Sequence, residues 1–352
     1  MLLQESQSKS KYFKAYQILI PIIIGVAAIV ILFLREFDLQ SFRSVKIDFW
    51  SVCFILLACL LIMGRDLGMM ARVRLMTNCQ ISWRRAFDIN VLKEFSAAIM
   101  PAALGAGPAL IVLLTKEGIN AGKSTAIGIA NLFLDNLFQV LACPVIFMFV
   151  PLAELFNNTN VVNSTIQVVF WAVYPVLCIW TLVLFFGLFV RPELVARLLR
   201  YIFRLRLLRK WQAAIYSFTE NMLLASSELK SRPFSFWVKV FGVTVFAWSC
   251  RFFIANALFM AFTPVKDQMM IFGRQIIIWL TMGVSPTPGG SGLNEIAFKQ
   301  FYSDITLGGG PMLVIIMMWR IISYYLYLIL GVIVFPQWVK RAFPGKSTSV
   351  TN

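Results

Sequence analysis

Long apolar runs separated by short polar, mostly basic segments dominate the chain. Six runs are near or above the roughly 17 residues that a helix needs to cross the hydrocarbon of a bilayer. They are Tyr16 to Leu34, Asp48 to Gly64, Ser124 to Val150, Thr165 to Val190, Phe236 to Phe262 and Pro311 to Phe335. Two further apolar stretches, Phe95 to Thr115 and Ile276 to Phe298, are interrupted by proline and glycine. The second contains Ser285-Pro286-Thr287-Pro288-Gly289-Gly290-Ser291-Gly292-Leu293-Asn294, followed at once by Glu295. Prolines and glycines at that density cannot continue a regular helix. Backbone broken at membrane depth persists only where protein or a water-filled cavity surrounds it. The pattern therefore predicts an all-α polytopic membrane protein with about six spanning helices and a binding or conduction site at the breaks.

The basic residues set the expected sidedness. Lys9, Lys11 and Lys14 precede the first run, which has no clear cleavage site, so a short tail (residues 1–15) is predicted inside, followed by an uncleaved anchor. Arg65, Arg72, Arg74, Arg84, Arg85 and Lys93 crowd the segment from Arg65 to Glu94, predicted inside. Pro151 to Asn163 has no lysine or arginine and is predicted outside, while the loop over residues 191–235 is basic and again inside. Only one crossing then fits between Glu94 and Pro151. Ser124 to Val150 supplies it, so Phe95 to Thr115 is expected to enter and return from the cytoplasmic side. Lys340, Arg341 and Lys346 bring the C-terminal tail (341–352) inside. By the same reasoning Ile276 to Phe298 is expected to enter and return from outside, which places Lys116 and Asp304 on opposite sides. Span, re-entrant hairpin, span then occurs twice with opposite orientation, in halves of about 48–150 and 236–336 within one membrane domain (16–340). This is an inverted repeat of the kind built into many secondary transporters. A single shift lays Pro101 on Pro286, Gly105 on Gly290 and Gly107 on Gly292, and sets Asp135 opposite Arg320.

Composition narrows the class further. Hydrophobic residues make up 59% of the 352 positions and charged ones only 14%, too few to clothe a soluble globule of this size. The net charge of +16 follows from cytoplasmic loops and does not point to nucleic acid. Histidine is absent, and Cys53, Cys59, Cys79, Cys143, Cys178 and Cys250 form no close pair, so neither metal-ligand spacing nor Cys/His catalysis is present. There is no Walker-type phosphate loop. No cofactor is expected. The sequons at Asn157 and Asn163 fall in the predicted outside loop.

Individual residues carry two readings each. Glu295 follows the glycine-rich break, where an unpaired carboxylate costs about 2.5–3.5 kcal/mol on insertion scales, so it should face a cavity, protonate or pair with a base. Arg320 is its best partner candidate. Either the pair holds a lipid phosphate or amine, or it is a structural tie between hairpin and last span. Asn131, Asp135 and Gln139 recur every four residues and share one helical face, as interhelical glue or as a substrate path. Arg251 lies mid-span, either snorkelling or meeting Asp135. Gly289, Gly290 and Gly292 either offer backbone amides to a phosphate or permit turns and close packing. The segment Arg191 to Lys210 reads as a basic amphipathic helix on the inner membrane surface, near anionic phospholipid headgroups.

The stretch Pro286-Thr287-Pro288-Gly289-Gly290-Ser291-Gly292-Leu293-Asn294-Glu295 resembles the proline-proline-glycine-glycine-x-glycine-x-x-glutamate signature of the lysylphosphatidylglycerol synthase transmembrane family. This is the flippase-like domain of multiple peptide resistance factors. Pro101-Ala102-Ala103-Leu104-Gly105 and Leu113-Leu114-Thr115-Lys116-Glu117-Gly118-Ile119-Asn120 resemble the family's first block. Arg320 in Trp319-Arg320-Ile321-Ile322-Ser323-Tyr324 resembles its late arginine-tyrosine helix. The resemblance runs over residues 15–340. It departs after Gly105, where Ala106, Gly107, Pro108, Ala109 and Leu110 replace the usual acidic residue and arginine. It implies movement of a polar-headed lipid or lipid-linked molecule between leaflets in a bacterial inner membrane. Lysyl transfer is not expected, since no soluble synthase domain follows. An ion-coupled solute transporter, or a non-catalytic membrane partner of a separate lipid-modifying enzyme, are the competing functions.

Overall fold

The computed structural model describes residues 47–100, 106–156, 161–204, 211–263, 265–283, 285, 290, 293–305 and 309–342. The first predicted span, Tyr16 to Leu34, lies outside them, as do Pro101, Gly105, Pro286, Pro288, Gly289 and Gly292. Every regular element among the described residues is a helix. In chain order these are α1 (Phe49–Met76), α2 (Trp83–Ile99), α3 (Ala106–Lys116), α4 (Ala121–Phe149), α5 (Leu152–Phe156) and α6 (Val161–Phe185), which runs on through a π-helical turn, Phe186–Val190. Then come α7 (Pro192–Ile202), α8 (Gln212–Lys230), α9 (Phe234–Phe262), α10 (Gln268–Met282), α11 (Leu293–Phe301), α12 (Gly309–Arg320), a second π-helical turn (Ile321–Tyr325) and α13 (Leu326–Ala342). Among the described residues, five continuous rods are long and apolar enough to cross a bilayer: α1, α4, α6 with its π turn, α9, and α12 through α13. The chain is a multi-pass membrane protein.

Local chemistry sets several helix starts. Asp48 caps α1 by accepting from the Ser51 amide, and those bonds hold its carboxyl below the usual carboxylate range. Ser82 caps α2, Asn120 caps α4 and Asp267 caps α10. Pro144, Pro175 and Pro336 sit inside α4, α6 and α13, as membrane helices tolerate.

α1 does not stop at Gly64 as the hydropathy predicts. No proline or glycine pair breaks it before Thr77, so Arg65, Arg72 and Arg74 continue the helix rather than forming a cytoplasmic loop. α1 and α9 form the most extensive helix pair in the bundle. Gly64 and Gly68 allow the close approach: a Cβ on Gly68 would lie 2.9 Å from the Ala247 Cβ, and one on Gly64 would lie 3.3 Å from the Cys250 sulfur. Replacing Gly68 with leucine should push the two helices apart and destabilise the protein by about 1–3 kcal/mol, the usual range for overpacking. A lowered melting temperature in detergent checks this, while the same change at Gly242, where an added Cβ meets nothing, should be silent.

Each interrupted stretch is a pair of short helices. α2 packs on α3, and α10 on α11. These hairpins begin earlier than expected, at Trp83 and Gln268, where Ser82 and Asp267 cap the helices, with Asn90, Arg274 and Gln275 buried within them. The spacing that separates Pro101 from Pro286 also carries Phe49, where α1 starts, to Phe234, where α9 starts. It carries Trp83 to Gln268 and the last residue of α3, Lys116, to the last of α11, Phe301.

Both hairpins are locked at their open ends. At the first, Arg341 of α13 bonds Asp88 at 2.9 Å and Glu117 at 2.5 Å, and Trp338 Nε1 donates to Glu117. At the second, Arg274 is wholly buried, bonds both Asp304 oxygens at 2.7 and 2.8 Å, and donates to the carbonyls of Glu154, Leu155 and Phe301. Asn163, expected in an outside loop, is instead buried within α6, whereas Asn157 lies outside the described residues.

Candidate functional site

Within the second break Gly290 has a left-handed φ of +67°. A Cβ there would also collide with the Asn294 side chain. α11 then begins, and Glu295 in its first turn meets Arg320, the last residue of α12, in a salt bridge made by Arg320 Nε. Arg320 Nη2 also reaches the Gly290 carbonyl at 3.4 Å. The guanidinium lies over the rings of Trp319 and Tyr324, at 5.3 and 4.9 Å. The second carboxylate oxygen of Glu295 is buried with no hydrogen-bond partner. Directly after Arg320 the helix widens into its π turn, a local irregularity that tends to occur at functional sites.

From Arg320 a line of polar side chains continues down the same rod. The Tyr324 hydroxyl donates to the Ala98 carbonyl near the tip of the first hairpin, at 3.2 Å. Tyr327 then joins a buried charged cluster: its hydroxyl donates to Asp66 at 2.7 Å and accepts from Arg65 at 2.9 Å. Arg65 bonds Asp66 at 2.8 Å and Glu94 at 2.5 Å, and Asn90 donates to Asp66 at 3.0 Å. Lys93 stands 3.2 Å from the same Glu94 oxygen as Arg65, and Arg251 stands 3.9 Å from the other.

A third group adjoins the second along α9. Arg72 donates to both oxygens of Asp135, at 2.5 and 3.2 Å, and to Thr244 at 3.2 Å, while Trp248 Nε1 donates to Asp135 at 2.7 Å. Arg251 does not meet Asp135. It stacks instead on Trp279 of α10, 4.3 Å from the ring centroid, because Asp135 is already claimed by Arg72 and Trp248. Asn131 and Gln139 are buried on the same face of α4 as Asp135, as their spacing predicts, and both amide atoms of Gln139 lack a hydrogen-bond partner. Gly107 is exposed to open space near the start of α3.

Glu295, Arg320 and Gly290 are thus brought together, while Asp135 and Arg251 belong to separate ion pairs of the same polar line. The hydropathy reading passed over Arg65, Asp66, Arg72, Glu94 and Tyr327, and assigned Arg65, Arg72 and Lys93 to a cytoplasmic loop. The available signal was the absence of any helix breaker between Gly64 and Met76, with Gly64 and Gly68 spaced for close packing. The line is not sealed. Side-chain exposure is 11% at Lys93, 14% at Arg251 and 24% at Asp135, so the charges reach the edge of the bundle.

The basic segment after α6 forms α7, whose Val195, Ala196 and Leu199 are buried while Leu194, Leu198 and Tyr201 are exposed. Arg200 donates to Thr219 of α8, and Arg204 to Tyr216, which draws that phenol below its usual range. Residues 205–210 of the expected amphipathic helix lie outside the described ones.

Residues 18–331 match the family described as the lysylphosphatidylglycerol synthase TM region. A UPF0104 membrane protein of Archaeoglobus fulgidus is 23% identical over 325 residues, which are 90% of this chain and 95% of that protein.

Proposed function

The chain belongs to the lysylphosphatidylglycerol synthase TM region family, and we propose that it moves a polar-headed phospholipid or lipid-linked molecule between membrane leaflets without hydrolysing ATP. The observation that carries this reading is the line of buried charge running from Glu295 and Arg320 through Tyr324 and Tyr327 to Arg65, Glu94 and Arg251. Charges at membrane depth cost about 2.5–3.5 kcal/mol each on insertion scales, so apolar packing alone would not keep so many there. Carboxylates and guanidiniums that already face one another can exchange partners with a headgroup amine and phosphate. A headgroup passing along them keeps its charge compensated, while its acyl chains stay in the hydrocarbon.

In this reading the two hairpins are re-entrant and the halves form an inverted repeat. The matching limits of α1 with α9 and of α2 with α10 support a repeat, and the inversion is the sidedness that the remaining basic segments, residues 191–235 and the C-terminal tail, imply. Both termini then lie in the cytoplasm, the membrane is the cytoplasmic one, and the transmembrane region performs transport rather than lysyl transfer. A proton-coupled solute carrier is the competing reading, and the unpartnered oxygen of Glu295 would be its proton site.

Fluorescent phospholipids with anionic, zwitterionic and lysine-bearing headgroups, exchanged between leaflets of liposomes containing the purified protein, separate the two. Headgroup-dependent exchange above empty liposomes is expected. Exchange no faster than in empty liposomes, with folded protein, would sink the lipid reading.

A further inference from the structure

The cluster at the crossing of α1, α2 and α9 holds three cations, Arg65, Lys93 and Arg251, against two carboxylates, Asp66 and Glu94. The carboxylates are engaged elsewhere. Asp66 accepts from Arg65, Asn90 and Tyr327. Glu94 is closest to Arg65 and Lys93 through one oxygen. Arg251 is left 3.9 Å from the other oxygen, beyond hydrogen-bond reach, and it makes no hydrogen bond to a described residue. Trp279 covers one face of its guanidinium, which leaves the edge N–H groups without acceptors. A planar five-donor cation in that state, at membrane depth, is matched by one singly charged oxyanion.

We infer that Arg251, supported by Lys93 and floored by Trp279, binds the phosphodiester of a phospholipid headgroup. One negative charge balances the cluster, which favours a diester over a dianionic monoester. Approach is from the edge of the cluster, where Lys93 and Arg251 keep part of their side chains exposed beside the exposed Trp279. The site is separate from the Glu295–Arg320 pair, and its assignment to a lipid rests on the translocation reading.

Titration calorimetry on the full chain in detergent tests it, with short-chain phosphatidylglycerol and inorganic phosphate as separate probes. Phosphatidylglycerol should bind the wild type, and Arg251→Gln should weaken it about tenfold or more, the loss expected for charge-assisted hydrogen bonds. Arg251→Lys should recover part of that loss. Arg251→Gln should still fold, with only a modest drop in melting temperature, since it loses a 3.9 Å ion pair and a ring contact but no hydrogen bond. Equal binding of inorganic phosphate would overturn the lipid assignment. Undiminished lipid binding by Arg251→Gln, or no binding by the wild type, would overturn the site. Leaflet exchange measured in parallel keeps the two readings apart. Exchange by the wild type with unchanged binding in Arg251→Gln defeats the site alone, whereas Arg251-dependent binding without exchange upholds the site and defeats translocation.

Discussion

Arg320→Gln should abolish leaflet exchange and lower stability by about 3–5 kcal/mol, the range for removing one partner of a buried ion pair. The Glu295 carboxylate, whose side chain is only 13% exposed, would then keep its charge with its paired cation gone. The double variant Glu295→Gln/Arg320→Gln should regain most of the stability, because two neutral amides leave no uncompensated charge. It should not regain exchange. This contrast separates a structural tie from a transport element. If the double variant both folds and exchanges lipid at the wild-type rate, the pair only fastens the second hairpin to the last rod. The measurements are thermal unfolding in detergent and leaflet exchange in liposomes on the same preparations.

Arg274→Met should have the larger effect on folding. Arg274 is fully buried and satisfies Asp304 bidentately together with three backbone carbonyls, two of them in the short α5 and one at the end of α11. Removing it leaves three carbonyls unsatisfied at about 1–3 kcal/mol each, while Asp304, 36% exposed, adds less than the partner of a fully buried pair would. That approaches the whole stability of a typical domain, about 5–15 kcal/mol. Arg274→Lys should fail as well, since an ammonium cannot span a carboxylate and carbonyls on both sides of a planar fork. The expected result is loss of monodisperse protein on size exclusion, with Asp304→Asn milder because the carbonyl bonds survive. A stable, monodisperse Arg274→Met protein would show that α5, α10 and α11 hold together without this anchor.

The second hairpin also shows where sequence reasoning stops. Its break, its carboxylate and the arginine that answers it are legible along the chain: proline and glycine cannot continue a helix, and an acid in apolar surroundings needs a base. Glu295 and Arg320 stand out for that reason. Arg274 carries no such mark. A lone arginine in Phe272-Gly273-Arg274-Gln275 reads equally well as a loop charge or a snorkelling one, and its role depends on carbonyls more than a hundred residues earlier.

The first half makes the same point in reverse. Arg65, Arg72 and Lys93 look like the cytoplasmic basic loop that usually follows a span, and local hydropathy ends the helix at Gly64. The helix continues because nothing breaks it, and those charges lie inside because Asp66, Glu94 and Asp135 meet them there. Arg251 is recognisable from its position within α9. Its neighbour is not, because Asp135 could accept either arginine until packing placed Arg72 and Trp248 against it.

Apolar run length and breaker residues by themselves determined the class, the helical rods after the first and the two interrupted stretches, since these follow from the local cost of burying backbone in hydrocarbon. Only the tertiary structure decided which buried charges pair. Electrostatic energy at membrane depth depends on distances between groups far apart in the chain, and those distances exist only once α1, α2, α9 and the last rod have packed.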